Sequence, residues 1–162
     1  MILLDENDPF LKIPVDEIDI SNLPDNFDEN IMEMIFLMNS SNAIGLAAVQ
    51  VGLPWRVFVM KTLTGTQTCI NPKIIESSND LPLTEGCLSF PDLRLVVHRP
   101  NIIEVTYLDQ NLALIKEKLY GIDAVVFSHE LDHLNGITFD TRVSKFQLKN
   151  ALKKRKRTQA ID

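Results

Sequence analysis

Apolar positions along the chain fall into two rhythms. Ile31, Met34, Ile35 and Met38 recur at the spacing of one helix face. With Asp25 and Asp28 as candidate caps, they predict a helix over roughly 26–39, which the polar run Asn39-Ser-Ser-Asn42 ends. Phe127, Leu131 and Leu134 mark the apolar face of a second helix, with Asp123 able to cap its start and Asn135-Gly136 supplying a stop. Ser144 can open a third, shorter helix. Between the first two helices, segments 57–60, 72–76 and 102–108 are rich in β-branched residues and bounded by Gly, Pro or Asn, as strands are. Segment 112–119 alternates in part and is a further strand candidate. Helix, then strands, then helix predicts an α+β fold rather than alternating βαβ units.

Composition narrows this picture. The 162 residues suit one domain with room for a core, and 45% hydrophobic with 23% charged residues is ordinary globular usage. No run of about 18 apolar residues occurs, so no membrane-spanning helix is expected. The first residues, Met-Ile-Leu-Leu-Asp-Glu-Asn-Asp, lack the basic start and apolar stretch of a secretory signal, and the expectation is a cytoplasmic protein. In a reducing compartment Cys69 and Cys87 are expected to remain thiols. The net charge of -6 is uneven. Residues 142–162 hold eight of the 16 cations and one acid, Asp162, a net +7, whereas the preceding residues hold 8 cations against 21 acids, a net -13. Such a body does not suit a general nucleic-acid binder, but the basic end leaves a local contact with an anionic partner open. The expected organisation is a catalytic domain over 1–150 followed by a basic tail over 151–162.

The segment His129-Glu130-Leu131-Asp132-His133 changes the picture most. On a helix the two histidines share a face, so both imidazoles can reach one metal ion with Glu130 beside them. A catalytic ion of this kind takes a third protein ligand. In one protease class that ligand is a third His, six residues after the second; here Phe139 stands there. In another it is a downstream Glu, and no Glu follows Glu130. The donor is therefore expected upstream, where the thiols are the natural candidates. Cys69 reads as a packed core thiol, while Cys87 sits in Glu85-Gly-Cys-Leu-Ser-Phe-Pro91, where Gly86 permits close backbone approach. Taken alone, either cysteine could be incidental.

Three motifs in order, Gly45-Leu-Ala-Ala-Val-Gln50, Glu85-Gly-Cys-Leu-Ser89 and His129-Glu-Leu-Asp-His133, resemble those of the peptide deformylases, and the resemblance spans about residues 5–150. It implies one α+β domain with mixed or antiparallel sheets around a central helix that carries the histidine pair. It also implies a divalent ion held by Cys87, His129 and His133: Fe²⁺ in the cell, with Zn²⁺, Ni²⁺ or Co²⁺ as substitutes. Glu130 is the implied acid/base, with the Gln50 side chain and the Leu88 backbone N–H as implied oxyanion donors. The implied substrate is the formyl-Met end of nascent polypeptides, met by Gly45, Ile44, Gly86, Arg94, Val125 and Val126. Arg99 is a candidate partner for Glu85 or Asp132. The chain departs from the family pattern at Ala43, Val49 and Ser128. A monomer is expected, with ribosome contact through the basic tail as a candidate role. Two other readings remain open on the residues: a zinc endopeptidase with a Cys ligand, and an inactive relative or structural metal site.

Overall fold

A computed structural model describes residues 1–160. Three helices and one five-stranded sheet form in chain order: α1 (Phe27–Ser40), β1 (Gly45–Ala47), β2 (Val57–Thr62), β3 (Gly65–Cys87), β4 (Phe90–Leu108), β5 (Leu114–Tyr120), α2 (Ile122–Leu134) and α3 (Lys145–Gln159). The sheet is an antiparallel meander in the order β1-β2-β3-β4-β5. Every neighbour pair is consecutive in sequence, so no crossover is needed and the class is α+β.

Two layers of helix cover the sheet. Phe27, Ile31, Met34 and Met38 of α1 pack on Val57 and Val59 of β2, with Leu46, Trp55 and Ile70. Phe58 and Met60, pointing the other way from the same strand, join Phe127, Leu131 and Leu134 of α2 with Val105 and Tyr107. The unbroken apolar run of β2 thus follows from burial on both faces. A third cluster joins Leu93, Leu95 and Val97 of β4 to Phe139 and to Leu148, Ala151 and Leu152 of α3. Helix α3, expected to be shorter than the others, is the longest of the three at 15 residues against 14 and 13 and runs unbroken through residue 150, with Ser144 and Gln147 forming a reciprocal cap at its start.

The expected strands are fragments of longer ones. Segments 72–76 and 102–108 belong to β3 and β4, whose long hairpin includes an exposed stretch that period-two patterning does not reveal. Register shifts between Ile70 and Lys73, Ile74 and Glu76, and Glu85 and Cys87 let the hairpin bend. The caps also differ from expectation. Asn26 and Gly121 occupy the N-cap positions of α1 and α2, and neither makes a side-chain cap bond. Asp28 and Asp123 lie in the first turns instead, where a carboxylate still favours the helix dipole. Gly136, with φ 70°, follows α2 as expected.

Helix α2 is the element that positions the site. Every residue from Ala124 to Leu134 is buried, so it has no solvated face. It nevertheless carries Ser128, His129, Glu130, Asp132 and His133. Burying such groups costs stability unless each finds a partner, so their environment decides what they can do.

Candidate metal centre and substrate cleft

The hairpin turn joining β3 to β4 brings Cys87, paired with Phe90, against the helix. One donor atom each from Cys87, His129 and His133 lies within 4.8 Å of the others, and Cys87 Sγ is 3.3 Å from His133 Nε2. Two donors about 2.0–2.3 Å from a tetrahedral ion stand about 3.3–3.8 Å apart, so these residues fit a single transition-metal ion. Cys69 is fully buried in the core between β2 and α2, as a packed thiol, and takes no part.

His129 is oriented by a carboxylate, whereas His133 Nδ1 is buried with no hydrogen-bond partner among the described residues. His129 Nδ1 meets Glu85 Oε2 at 2.9 Å, which leaves Nε2 for the site. Burial works against a proton on His129, but Cys87 and Glu85 outweigh it and hold the ring's pKa up at about 10. Burial, reinforced by His129 and Arg99, pushes His133 well below the usual histidine value, so it is the neutral ring a metal requires. Glu85 is gripped by Arg99, whose Nε and Nη2 donate at 2.8 and 3.1 Å. Burial alone would raise the Glu85 carboxyl, but the hydrogen bonds from His129 and Arg99 prevail and hold it low. Arg99 also donates to Asp132, so it partners both candidate acids. Arg142 grips Asp132 from the other side; nothing in the local pattern marks it.

Glu130 points into the same space. Its Oε2 is buried with no hydrogen-bond partner among the described residues. Burial pushes its carboxyl up to about 7, against the pull of His129 and Arg99. Gly45 makes this placement possible, because a Cβ there would lie 2.4 Å from Glu130 Oε1. Gln50 is held by the backbone N–H of Ala47, which donates to its Oε1 at 2.9 Å. A backbone N–H can only donate, so the amide NH₂ must face the other way. There Nε2 lies 3.4 Å from Cys87 Sγ and 3.2 Å from Ser89 Oγ.

A cleft of about 720 Å³ opens over these groups. Gln50, Cys87, Leu88, His129 and Glu130 line it, as do Gly45, Ile44, Gly86, Arg94, Val125 and Val126. The structure therefore gathers every candidate catalytic, metal-ligating and substrate residue at the cleft except His133, which is only 1% exposed and does not line it. Gly86 leaves room for the Arg94 guanidinium, since a Cβ would stand 2.4 Å from Nη1. Ala43, Leu83, Ile122 and Thr158 also line the cleft. No motif marks the last three; Ile122, 60% exposed at the start of α2, is the one whose apolar side chain beside the histidine helix offers a signal.

The sequence matches the family described as polypeptide deformylase over residues 2–149. The chain belongs to this family. The peptide deformylase of Thermotoga petrophila is 39% identical over 126 residues, 77% of this chain and 77% of that protein. That of Maricaulis maris is 35% identical over 161 residues, 94% and 90% of the two chains. A solved Synechococcus elongatus peptide deformylase, in complex with actinonin, superposes with a TM-score of 0.88 at 36% identity, over 95% of this chain and 85% of that one. As a deformylase the chain is a metal-dependent hydrolase that removes the N-terminal formyl group from formyl-methionyl polypeptides, and the endopeptidase and inactive-relative readings are not favoured. Among the described residues no helix is long and apolar enough to cross a membrane.

Proposed function

We propose that Cys87, His129 and His133 hold the ion of this deformylase and that Glu130 is its acid/base. The carrying observation is the convergence of these three donors, His133 from outside the cleft lining, with the unpartnered Glu130 Oε2 and the Gln50 amide at one cleft. Thiolate and imidazole donors form a borderline-soft set that suits iron, zinc or cobalt. Fe²⁺ is the proposed ion in the cell, on the family resemblance, with Zn²⁺, Ni²⁺ or Co²⁺ able to replace it. Such an ion supplies water acidic enough to act as hydroxide near neutral pH.

The chain's own residues do the rest. Glu130 accepts a proton from the attacking water and delivers it to the amine nitrogen as the formyl C–N bond breaks, giving formate and a free N-terminus. A carboxyl held near 7 can both accept and return a proton. As the carbonyl oxygen gains charge, the Gln50 NH₂ and the Leu88 backbone N–H donate to it. Ile44, Val125 and Val126 receive the methionine side chain, Gly45 and Gly86 let the substrate backbone approach, and Arg94 meets the peptide beyond it. Formate release from formyl-Met-Ala-Ser by anaerobic, iron-loaded protein tests the assignment. Glu130→Gln should keep its metal and lose at least about 100-fold in rate; near-normal release would remove Glu130 from the role. Activity of the iron form should decay in air faster than that of the zinc form.

For the partner, the proposal is a cytoplasmic monomer that meets nascent chains at the ribosome through α3. Lys145, Lys149, Lys153 and Lys156 line one groove of that helix with Leu148 and Leu152. Arg155 is already engaged, donating to Glu6 at 2.7 and 2.8 Å. Replacing Lys149, Lys153 and Lys156 by Glu should weaken ribosome co-sedimentation at low salt. Unchanged co-sedimentation would leave α3 as a packed helix with solvated charges.

A further inference from the structure

Asp132 lies within the histidine motif yet is turned toward a different set of partners from the three metal donors. It is 6% exposed and accepts from Arg99 on one side and from Arg142 on the other, with Arg142 Nε at 2.9 Å and Nη2 also in contact. Arg99 in turn holds Glu85 with two nitrogens, and Glu85 holds His129 Nδ1. Alternating charges thus run from Arg142 to the imidazole. Arg142 is the member that reaches solvent, its side chain 43% exposed against 9% for Asp132 and 3% for Arg99.

Arg142 ends the short helical turn Phe139–Arg142, which touches His129 by a second route. The Phe139 ring packs on the His129 ring, centroids 5.9 Å apart. One four-residue turn therefore braces this histidine through both an aromatic contact and the charge chain.

We propose that Arg142 is a positioning residue of the metal centre. The proposal rests on the reading of Cys87, His129 and His133 as metal donors. With Arg142 in place, two cations balance two buried carboxylates, and Arg99 can give two of its N–H groups to Glu85. Without it, Asp132 becomes a buried charge with Arg99 as its remaining cation. Arg99 is then drawn toward Asp132, Glu85 loses part of its grip, and His129 loses the fixed acceptor that aims Nε2 at the ion.

Cobalt(II) serves as the probe, because its visible spectrum reports ligand geometry while chelator competition reports affinity. Arg142→Ala should bind Co²⁺ about tenfold more weakly and shift the cobalt spectrum, as loss of such supporting contacts does elsewhere. Arg142→Lys keeps the charge but not the two-pronged grip and should recover part of the affinity. Asp132→Asn should itself weaken binding, and adding Arg142→Ala to it should cost little more, because the arginine acts through that carboxylate. Melting of the metal-free variants checks that all are folded; should Arg142→Ala fail to fold, an intermediate loss in Arg142→Lys carries the comparison. Wild-type affinity and spectrum in folded Arg142→Ala, or an undiminished further loss in the Asp132→Asn background, would overturn the proposal. If the wild type itself took up no ion, the metal-centre reading would fall, and this inference with it.

Discussion

Gly45 stands in β1 opposite Met60, with its Cα against the Glu130 carboxylate. Its φ is not in the left-handed region, so the backbone itself accepts alanine. The obstacle is Glu130: a Cβ would lie 2.4 Å from Oε1, 2.8 Å from Cδ and 2.9 Å from Cγ. Ordinary contact begins near 3.4 Å, so the carboxylate must retreat by about 1 Å. Glu130 lines the cleft, so its carboxylate can yield to a Cβ only by leaving its present position beside the metal donors. A displacement of about 1 Å at a catalytic group costs about 100-fold, or about 2.7 kcal/mol of transition-state stabilisation. Alanine also lowers the entropy of the unfolded chain, worth about 0.4–1 kcal/mol, which offsets strain in the fold. Gly45→Ala should therefore keep full metal content and a near-normal melting temperature while kcat for a formyl-Met peptide falls about 100-fold. Steady-state formate release with metal analysis on the same sample decides it. A fully metallated variant with kcat within about threefold of wild type would show that Glu130's present position is not what the reaction requires.

Cys87→Ala, His129→Ala and His133→Ala should each abolish stoichiometric metal while Cys69→Ala retains it; full occupancy in Cys87→Ala, by elemental analysis, would sink the ligand set. Gln50→Ala should lower kcat more than it raises KM, at a cost of about 2.7–4 kcal/mol if it donates to the oxyanion; a pure KM effect would reduce it to a substrate-binding group. Metal-free protein should lose stability as pH rises from about 7 to 10. His129, raised to about 10, contributes stability present below about 6.5 and lost as pH rises toward 10. Below about 7 two contributions oppose each other: His133, depressed, loses stability as pH falls below about 6.5, whereas Glu130, raised to about 7, gains it. Denaturant midpoints across pH 7–10 test the His129 contribution, and a midpoint that does not fall across that range would contradict it.

The histidine pair and Glu130 were legible because their relation is local: four residues along a helix set two side chains on one face whatever the rest of the chain does. The three helices were legible for the same reason, α1 from its apolar stripe and the start of α3 from Ser144, although the length of α3 was not. So were 57–60 and 102–108 as parts of strands, where β-branched runs mark burial. The long middle of the β3–β4 hairpin was not, because an exposed ribbon is held by pairing with its neighbour, and pairing leaves no apolar pattern. In the sequence only the family resemblance of its motif set Cys87 apart from Cys69; its closeness to His129 and His133 came from the hairpin closing on α2. Tertiary structure alone decided that α2 is enclosed on every side, that Gly45 abuts Glu130, and that Arg99 bridges two acids while Arg142 holds one of them from the surface. These contacts join residues far apart in sequence. Periodicity describes only what neighbours on the same element do, and the contacts exist only once the whole chain has closed.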